Sequence, residues 1–322
     1  MPSLNELLKP INADMQAVDQ VIRDCLDSEV VLIRTIGDYI IGSGGKRIRP
    51  ALALLSSRAF GYQGNQHLKM AAVIEFIHTA TLLHDDVVDE SSLRRGRSTA
   101  NEMFGNAASV LVGDYLYSRA FEMMVEVDSM AVMQVMSQAT KVISEGEVLQ
   151  LMNVNDPNVT QEGYLQVVRF KTAKLFEAAA RVGAILANVS EPMQEAAATY
   201  GRHMGTAFQL VDDLLDYSGD TQTLGKTLGD DLREGKATLP LLHVLAVGNT
   251  QDQALVRQAI EKGDGDFDAV AQAIMRADAL TYTRQAAEAE VTLAIEALSE
   301  LPDSETKYLL QQLAGHCLTR HQ

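Results

Sequence analysis

Apolar residues recur at three- and four-residue intervals along almost the whole chain, the period of a helix that turns one face inward. Residues 107–127, 131–151, 164–186 and 271–298 each read as one continuous helix, rich in Ala, Leu, Met, Glu and Gln, which lose little on entering a helix. Alternation with period two, the mark of a half-buried strand, is nearly absent. Short breaks fall at 42–45, 61–64, 153–158, 188–192, 217–235 and 263–266, and none of them has the Pro/Ser-rich or single-charge character of a linker. The pattern predicts an all-α chain in which residues 1–322 form one domain, a size that helical enzymes reach without splitting.

Two apolar segments change character abruptly. Residues 71–83 run into Asp85-Asp86-Val87-Val88-Asp89, and residues 204–211 run into Asp212-Asp213-Leu214-Leu215-Asp216. Thr79-Ala80 and Thr206-Ala207 stand at the same distance ahead of the two clusters. In each cluster the first and last Asp are four positions apart, so a helix sets both carboxylates on one face, about one turn from each other. Such a pair costs roughly a few tenths of a kcal/mol in water, and more where solvent is excluded. One such cluster is easily a solvated helix end. Two copies in the same apolar context call for a shared counter-charge, because buried charges need partners. Oxygen ligands on two facing helices suit Mg²⁺, a hard ion that takes one or two carboxylates and completes its shell with water and phosphate oxygens. At about 100° per residue, Leu82, Asp85 and Asp89 fall within about 40° of His78, and Gln209, Asp212 and Asp216 share a second stripe.

Basic residues gather near these acids. Ser43-Gly44-Gly45-Lys46-Arg47-Ile48-Arg49-Pro50 is a Gly-rich turn leading into a helix over 51–59, where backbone N–H groups and the helix end would add to Lys46 and Arg49. Arg94-Arg95-Gly96-Arg97 follows the first acidic cluster closely, and Lys226 and Lys236 follow the second in Gly-rich loops. Carboxylates that hold a metal, a metal that neutralises phosphate, and arginines that grip the remaining phosphate oxygens form one set. The net charge of −16 argues against nucleic acid, so any anion site has to be local. No run of about 18 uninterrupted apolar residues marks a membrane span, and no signal peptide precedes the first helix, which points to the cytoplasm. Cys25 and Cys317 have no metal or redox spacing and read as reduced, packed thiols.

In these motifs the chain resembles the trans-prenyltransferases, the polyprenyl diphosphate synthases. The resemblance runs in order from Lys46 to Pro240. It includes Glu75-Phe76-Ile77-His78-Thr79-Ala80, Arg94-Arg95-Gly96, Gly113-Asp114, Lys171-Thr172-Ala173, Phe208-Gln209 and Gly235-Lys236-Ala237-Thr238-Leu239-Pro240, with no departure at a motif residue. It implies an antiparallel bundle around a deep central cavity, of the isoprenoid synthase type, and a homodimer. It also implies Mg²⁺-dependent condensation of isopentenyl diphosphate onto an allylic diphosphate such as farnesyl diphosphate. By the resemblance, Asp85, Asp89 and Asp212 are metal ligands, and Lys46, Arg49, His78 and Arg95 hold isopentenyl diphosphate. Arg94, Lys171, Thr172, Gln209, Lys226 and Lys236 lie around the allylic diphosphate. The catalytic set is then Asp85, Asp89, Asp212, Lys171 and Gln209.

Product length is read from the floor of the cavity. In the family, short-chain members tend to place an aromatic four or five residues before the first Asp; here those positions are Thr81 and Ala80. Thr81, Ile77 and Ile74 would form the wall that a growing chain follows, with Met124 and Met136 among the methionines that could close it. The expectation is a long product, near eight isoprene units, of the kind used as a quinone side chain. A short-chain synthase is the nearest rival. A noncatalytic partner subunit would lack the aspartates, and a terpene cyclase would have no use for the Gly44 to Pro50 anion site.

Overall fold

The computed structural model describes residues 3–42, 44–218, 228–263 and 265–319. Helices dominate, as the periodicity predicts. The chain begins with α1 (Leu4–Leu8), a 3-10 turn (Lys9–Ile11), α2 (Asn12–Leu26) and α3 (Val31–Gly42). The central helices follow: α4 (Ile48–Ala59), α5 (Gln66–Val88), α6 (Ala100–Phe104), α7 (Asn106–Val125), α8 (Met130–Asn153) and α9 (Gln161–Val167). A π-helical turn, Val168–Ala173, feeds α10 (Lys174–Leu186), and the long α11 (Glu191–Ser218) comes next. The remainder is α12 (Asp230–Arg233), α13 (Leu239–Val247), α14 (Thr250–Lys262), α15 (Phe267–Arg276), α16 (Ala279–Ala297) and α17 (Glu305–His316). Among the described residues no helix is long and apolar enough to cross a membrane.

Helix α10 packs against α4, α8 and α11, and α5 packs against α4 and α7. The short connection 187–190 makes α10 and α11 antiparallel neighbours. One buried cluster joins α2 to α5, α7, α8, α10 and the first half of α11, with Phe76, Met123, Met136, Phe176 and Met204 inside it. A second joins Tyr164 and Val168 to the last half of α11 and to α13–α16. Helix α11 belongs to both. The cleft described below takes its walls from both clusters, Ile143 and Leu175 from the first, Val168 and Leu215 from the second.

Three local departures from the periodic pattern matter. The segment 164–186 is not one α-helix, because the π turn interrupts it; such bulges add a residue and swing the side chains that follow. Residues 271–298 are two helices, not one, divided at Ala277-Asp278, where Asp278 adopts φ 52°. Asp is among the residues that tolerate this left-handed conformation, so a single residue turns the chain without glycine. Third, Leu93–Arg94 pairs with Arg97–Ser98 as a two-stranded antiparallel ribbon, β1 and β2. Its two loop residues, Arg95 (φ 54°) and Gly96 (φ 72°), have the positive φ values that a tight type I′ hairpin requires.

The π turn reaches its place because α8 has no side chain at Gly146. A Cβ there would lie 2.7 Å from the Lys171 backbone nitrogen and 2.9 Å from the Phe170 Cβ. Gly146→Ala therefore has to push the turn that carries Lys171 and Thr172 away from α8. Overpacking of this kind costs about 1 to 3 kcal/mol. Thermal unfolding should show the loss, together with a fall in turnover that Gly→Ala at an exposed helix position does not produce.

Candidate active site

One cleft of about 1030 Å³ brings the separate sequence motifs together. Lys46, Arg49, His78, Asp85, Asp89, Arg94, Arg95, Lys171, Thr172, Gln209, Asp212 and Lys236 all line it. Lys226 lies outside the described residues. The helical counts hold: Leu82 joins His78, Asp85 and Asp89 on the α5 side, and Asp216 joins Gln209 and Asp212 on the α11 side.

The basic end is built on a tight turn. Arg47 sits at φ 48° just before α4, and Gly45 at φ +150°. A Cβ on Gly45 would lie 2.7 Å from the Arg95 Nη1, so the guanidinium of the hairpin closes over this glycine. Arg49 stacks its guanidinium 4.5 Å from the Phe176 ring centroid and 5.9 Å from that of Phe208. Its Nη1 lies 3.2 Å from His78 Nε2. Arginine only donates, so Nε2 accepts and the imidazole proton is assigned to Nδ1. Burial, reinforced by the charge of Arg49 and its arginine neighbours, holds the His78 pKa well below its usual value, which keeps the ring neutral. Beneath it Glu75, 7% exposed, receives Arg47 Nη1 at 2.9 Å. Burial raises the Glu75 pKa and the surrounding arginines oppose that.

At the acidic end each lysine is shared by two carboxylates. Lys171 Nζ lies 2.6 Å from Glu147 Oε2 and 3.5 Å from Asp85 Oδ2. Lys236 Nζ lies 2.9 Å from Asp89 Oδ2 and 2.5 Å from Glu234 Oε2. Burial works against both ammonium groups, but the paired carboxylates outweigh it and hold both lysine pKa values above the ordinary one. The Glu147 carboxyl is pushed up to about 7, first by burial and then by the charge of Asp85. Asp86 turns away from the cleft, fully buried, and takes Arg94 through Nε at 2.8 Å and Nη2 at 2.6 Å. The second cluster divides less sharply, because Asp213 borders the cleft even though it is almost wholly buried. Asp212 and Asp216 line the cleft, and Asp216 Oδ2 also accepts the Asp231 backbone N–H at 3.2 Å. Asp213, 2% exposed, accepts the Tyr164 hydroxyl and Gln209 Nε2–H; burial, then the charge of Asp231, raises its pKa, and these two donors oppose that.

The donor set fits a hard divalent cation. Asp85, Asp89, Asp212 and Asp216 offer only oxygen, in pairs on two helices across one cleft. Among the described residues no three carboxylates or other ligating side chains converge on one point. Such pairs suit a cation that shares its shell with substrate phosphate rather than one in a closed protein cage.

A second cavity, about 80 Å³, shares Thr81, Asp85, Ile143 and Glu147 with the cleft and adds Ile77, His84, Tyr117, Thr140 and Ser144. Thr81 and the fully buried Ile77 border this cavity. Ala80, Met124 and Met136 are fully buried in the core around it and are not in its lining.

Sequence inspection missed Glu147, Glu234, Tyr117 and Tyr164. A signal for Glu147 existed: Met136, Thr140, Ile143, Glu147 and Gln150 follow at four- and three-residue steps, which sets a carboxylate on the inward stripe of α8. Tyr164 had no local signal, since its partner Asp213 is remote in sequence.

An all-α bundle whose two acidic helices and two basic turns converge on one cleft defines a synthase of the isoprenoid type. The family model for polyprenyl synthetase matches residues 30–277, and the chain belongs to that family. Octaprenyl diphosphate synthase of Escherichia coli (strain K12) is 54% identical over 322 residues, 99% of each chain. Among solved structures, a polyprenyl synthase from Caulobacter crescentus CB15 complexed with calcium and isoprenyl diphosphate superposes with TM-score 0.96 at 43% identity, covering 99% of this chain and 98% of the other. A decaprenyl diphosphate synthase from Rhodobacter capsulatus gives TM-score 0.94 at 42% identity, covering 99% of this chain and all (100%) of its own.

Gly45→Ala should displace Arg95 from the turn. In steady-state kinetics it should raise the KM for isopentenyl diphosphate about tenfold, the scale of one charge-assisted contact, and leave the KM for the allylic substrate within about twofold. Equal changes for both substrates would erase the distinction between the two ends of the cleft.

Proposed function

We propose that this protein is a long-chain trans-polyprenyl diphosphate synthase that elongates farnesyl diphosphate with isopentenyl diphosphate to octaprenyl diphosphate. The observation that carries the proposal is the convergence of both acidic helices and both basic turns on one cleft that adjoins a second cavity beside Asp85. The 54% identity to an octaprenyl diphosphate synthase supports the product length. All 322 residues form the catalytic domain in this proposal, the active species is a cytoplasmic homodimer, and the product serves as a quinone side chain.

Asp85, Asp89 and Asp212 would hold Mg²⁺, which when bound neutralises diphosphate charge and makes it a better leaving group. Lys171, Thr172, Gln209, Arg94, Lys226 and Lys236 grip the allylic diphosphate. Lys46, Arg49, Arg95 and the neutral His78 hold the diphosphate that stays. The allylic C1–O bond breaks with its electron pair leaving on oxygen, and the double bond of isopentenyl diphosphate attacks C1. The proton then lost from the new chain goes to the departed diphosphate. A water-poor cleft matters, because water would capture the allylic cation. A long product is supported by Thr81 and Ile77, neither of them aromatic, which border the second cavity beside Asp85.

The direct assay incubates the enzyme with farnesyl diphosphate, labelled isopentenyl diphosphate and Mg²⁺, then sizes the products. Chains of about eight units are expected, as the octaprenyl relative's name implies; arrest at fifteen or twenty carbons would assign a short-chain synthase. Asp85→Ala and Asp212→Ala should each lower turnover on the order of a hundredfold or more, since each removes charge from the site of diphosphate departure. Circular dichroism should report an unchanged fold, because Lys171 keeps Glu147 when Asp85 is gone. Near-normal turnover at saturating Mg²⁺ would remove these residues from the metal site.

Thr81→Phe should fill the second cavity and shorten the product toward about fifteen or twenty carbons while the first condensation persists. Ala80→Tyr should shorten it as well, at a cost in stability, since Ala80 is fully buried. Unchanged product length in both variants would mean that the chain grows along another wall.

A further inference from the structure

The two neighbouring carboxylates Asp212 and Asp213 have different surroundings. Both appear in the cleft lining, yet Asp213 is almost wholly buried and has both oxygens engaged. Its Oδ2 accepts the Tyr164 hydroxyl, and its Oδ1 accepts Gln209 Nε2–H at 2.7 Å. Gln209 Oε1 in turn accepts the Thr172 hydroxyl at 2.9 Å.

This string settles an orientation that shape alone leaves open. A glutamine amide fits nearly the same space when flipped, so its partners decide which end goes where. Asp213 Oδ2 already accepts the Tyr164 hydroxyl and Oδ1 accepts from the amide, so the nitrogen end is the one that faces Asp213. The carbonyl oxygen is thereby turned to Thr172. Tyr164 supplies the donor that lets Asp213 stay buried in this role, since a buried carboxylate oxygen without a donor is costly.

We propose that Tyr164 and Asp213 are positioning residues for the allylic end of the cleft, acting through Gln209 and Thr172. This rests on the assignment of Gln209 and Thr172 to the allylic diphosphate. Tyr164 also joins α9 to α11 through Asp213, and it shares a buried cluster with Leu239 at the start of α13, just after Lys236.

The test is a double-mutant cycle of Tyr164→Phe and Gln209→Ala, with both substrates varied and the melting temperature recorded for each protein. Tyr164→Phe should lower kcat/KM for farnesyl diphosphate about tenfold, the scale of a hydrogen bond to a charged group, while the KM for isopentenyl diphosphate stays within about twofold. In the Gln209→Ala background the same change should have no further effect, since nothing remains to be positioned. Additive losses, or equal losses for both substrates alongside a lower melting temperature, would make Tyr164 a general brace and overturn the proposal. A normal Tyr164→Phe beside an impaired Gln209→Ala would overturn it alone. A normal Gln209→Ala would overturn the allylic assignment and the proposal with it. If Tyr164→Phe does not fold, Asp213→Asn runs through the same cycle with the same expectation.

Discussion

Charge balance in a low-dielectric cleft is the constraint on which the site depends. Asp85 and Asp89 stand on one face of α5, where each would destabilise the other if left alone. Lys171 and Lys236 meet them, and each lysine also holds a second carboxylate, Glu147 or Glu234. Removing one partner from such a buried set leaves an uncompensated charge, which costs far more than the pair contributes by existing. The arrangement is therefore poor as a source of stability and well suited to handling a polyanion. Lysines already held between carboxylates can turn to phosphate without crossing solvent, and carboxylates on two facing helices can meet cations that travel with it.

The opposite end solves the converse problem. Arg47, Arg49 and Arg95 crowd a small volume, and Glu75 sits among them with Arg47 at 2.9 Å. The aromatic faces of Phe176 and Phe208 take the Arg49 guanidinium without adding charge. His78, kept neutral by burial and by these cations, accepts a hydrogen bond from Arg49 instead of adding to the repulsion. In the proposed function, two substrates that each carry a diphosphate would meet different chemistry: carboxylates and lysines at one end, arginines around a buried glutamate at the other. In a chain with net charge −16 this local inversion of charge lets the basic end gather anions.

Backbone shape carries much of the precision. The π turn places Lys171 and Thr172 on successive positions that both reach the cleft, and it can lie against α8 because Gly146 has no side chain to meet it. The hairpin loop at Arg95-Gly96 brings one guanidinium over Gly45, while its first strand sends Arg94 to Asp86. Both are departures from regular helix, and both sit at the site. That is where local rules are expected to yield to function.

The amino-acid pattern by itself determined the helical class, the two faces His78-Leu82-Asp85-Asp89 and Gln209-Asp212-Asp216, and the motifs that gather in the cleft. Each of these depends on the 3.6-residue period or on adjacent residues, which is information local to the chain. What only the tertiary structure decided is which acids serve each other. Nothing around Asp86 or Asp213 distinguishes them in sequence from Asp85 and Asp212, yet Asp86 turns into the protein to hold Arg94, and Asp213 is buried at the cleft's edge between Tyr164 and Gln209. The break at Asp278 and the π turn at 168–173 were equally invisible, because neither place carries the Gly or Pro that punctuates a helix in sequence. Tyr164 and Glu147 gained their roles from partners remote in the chain, Asp213 in one case and Lys171 in the other, and contacts of that kind exist only once the helices have packed.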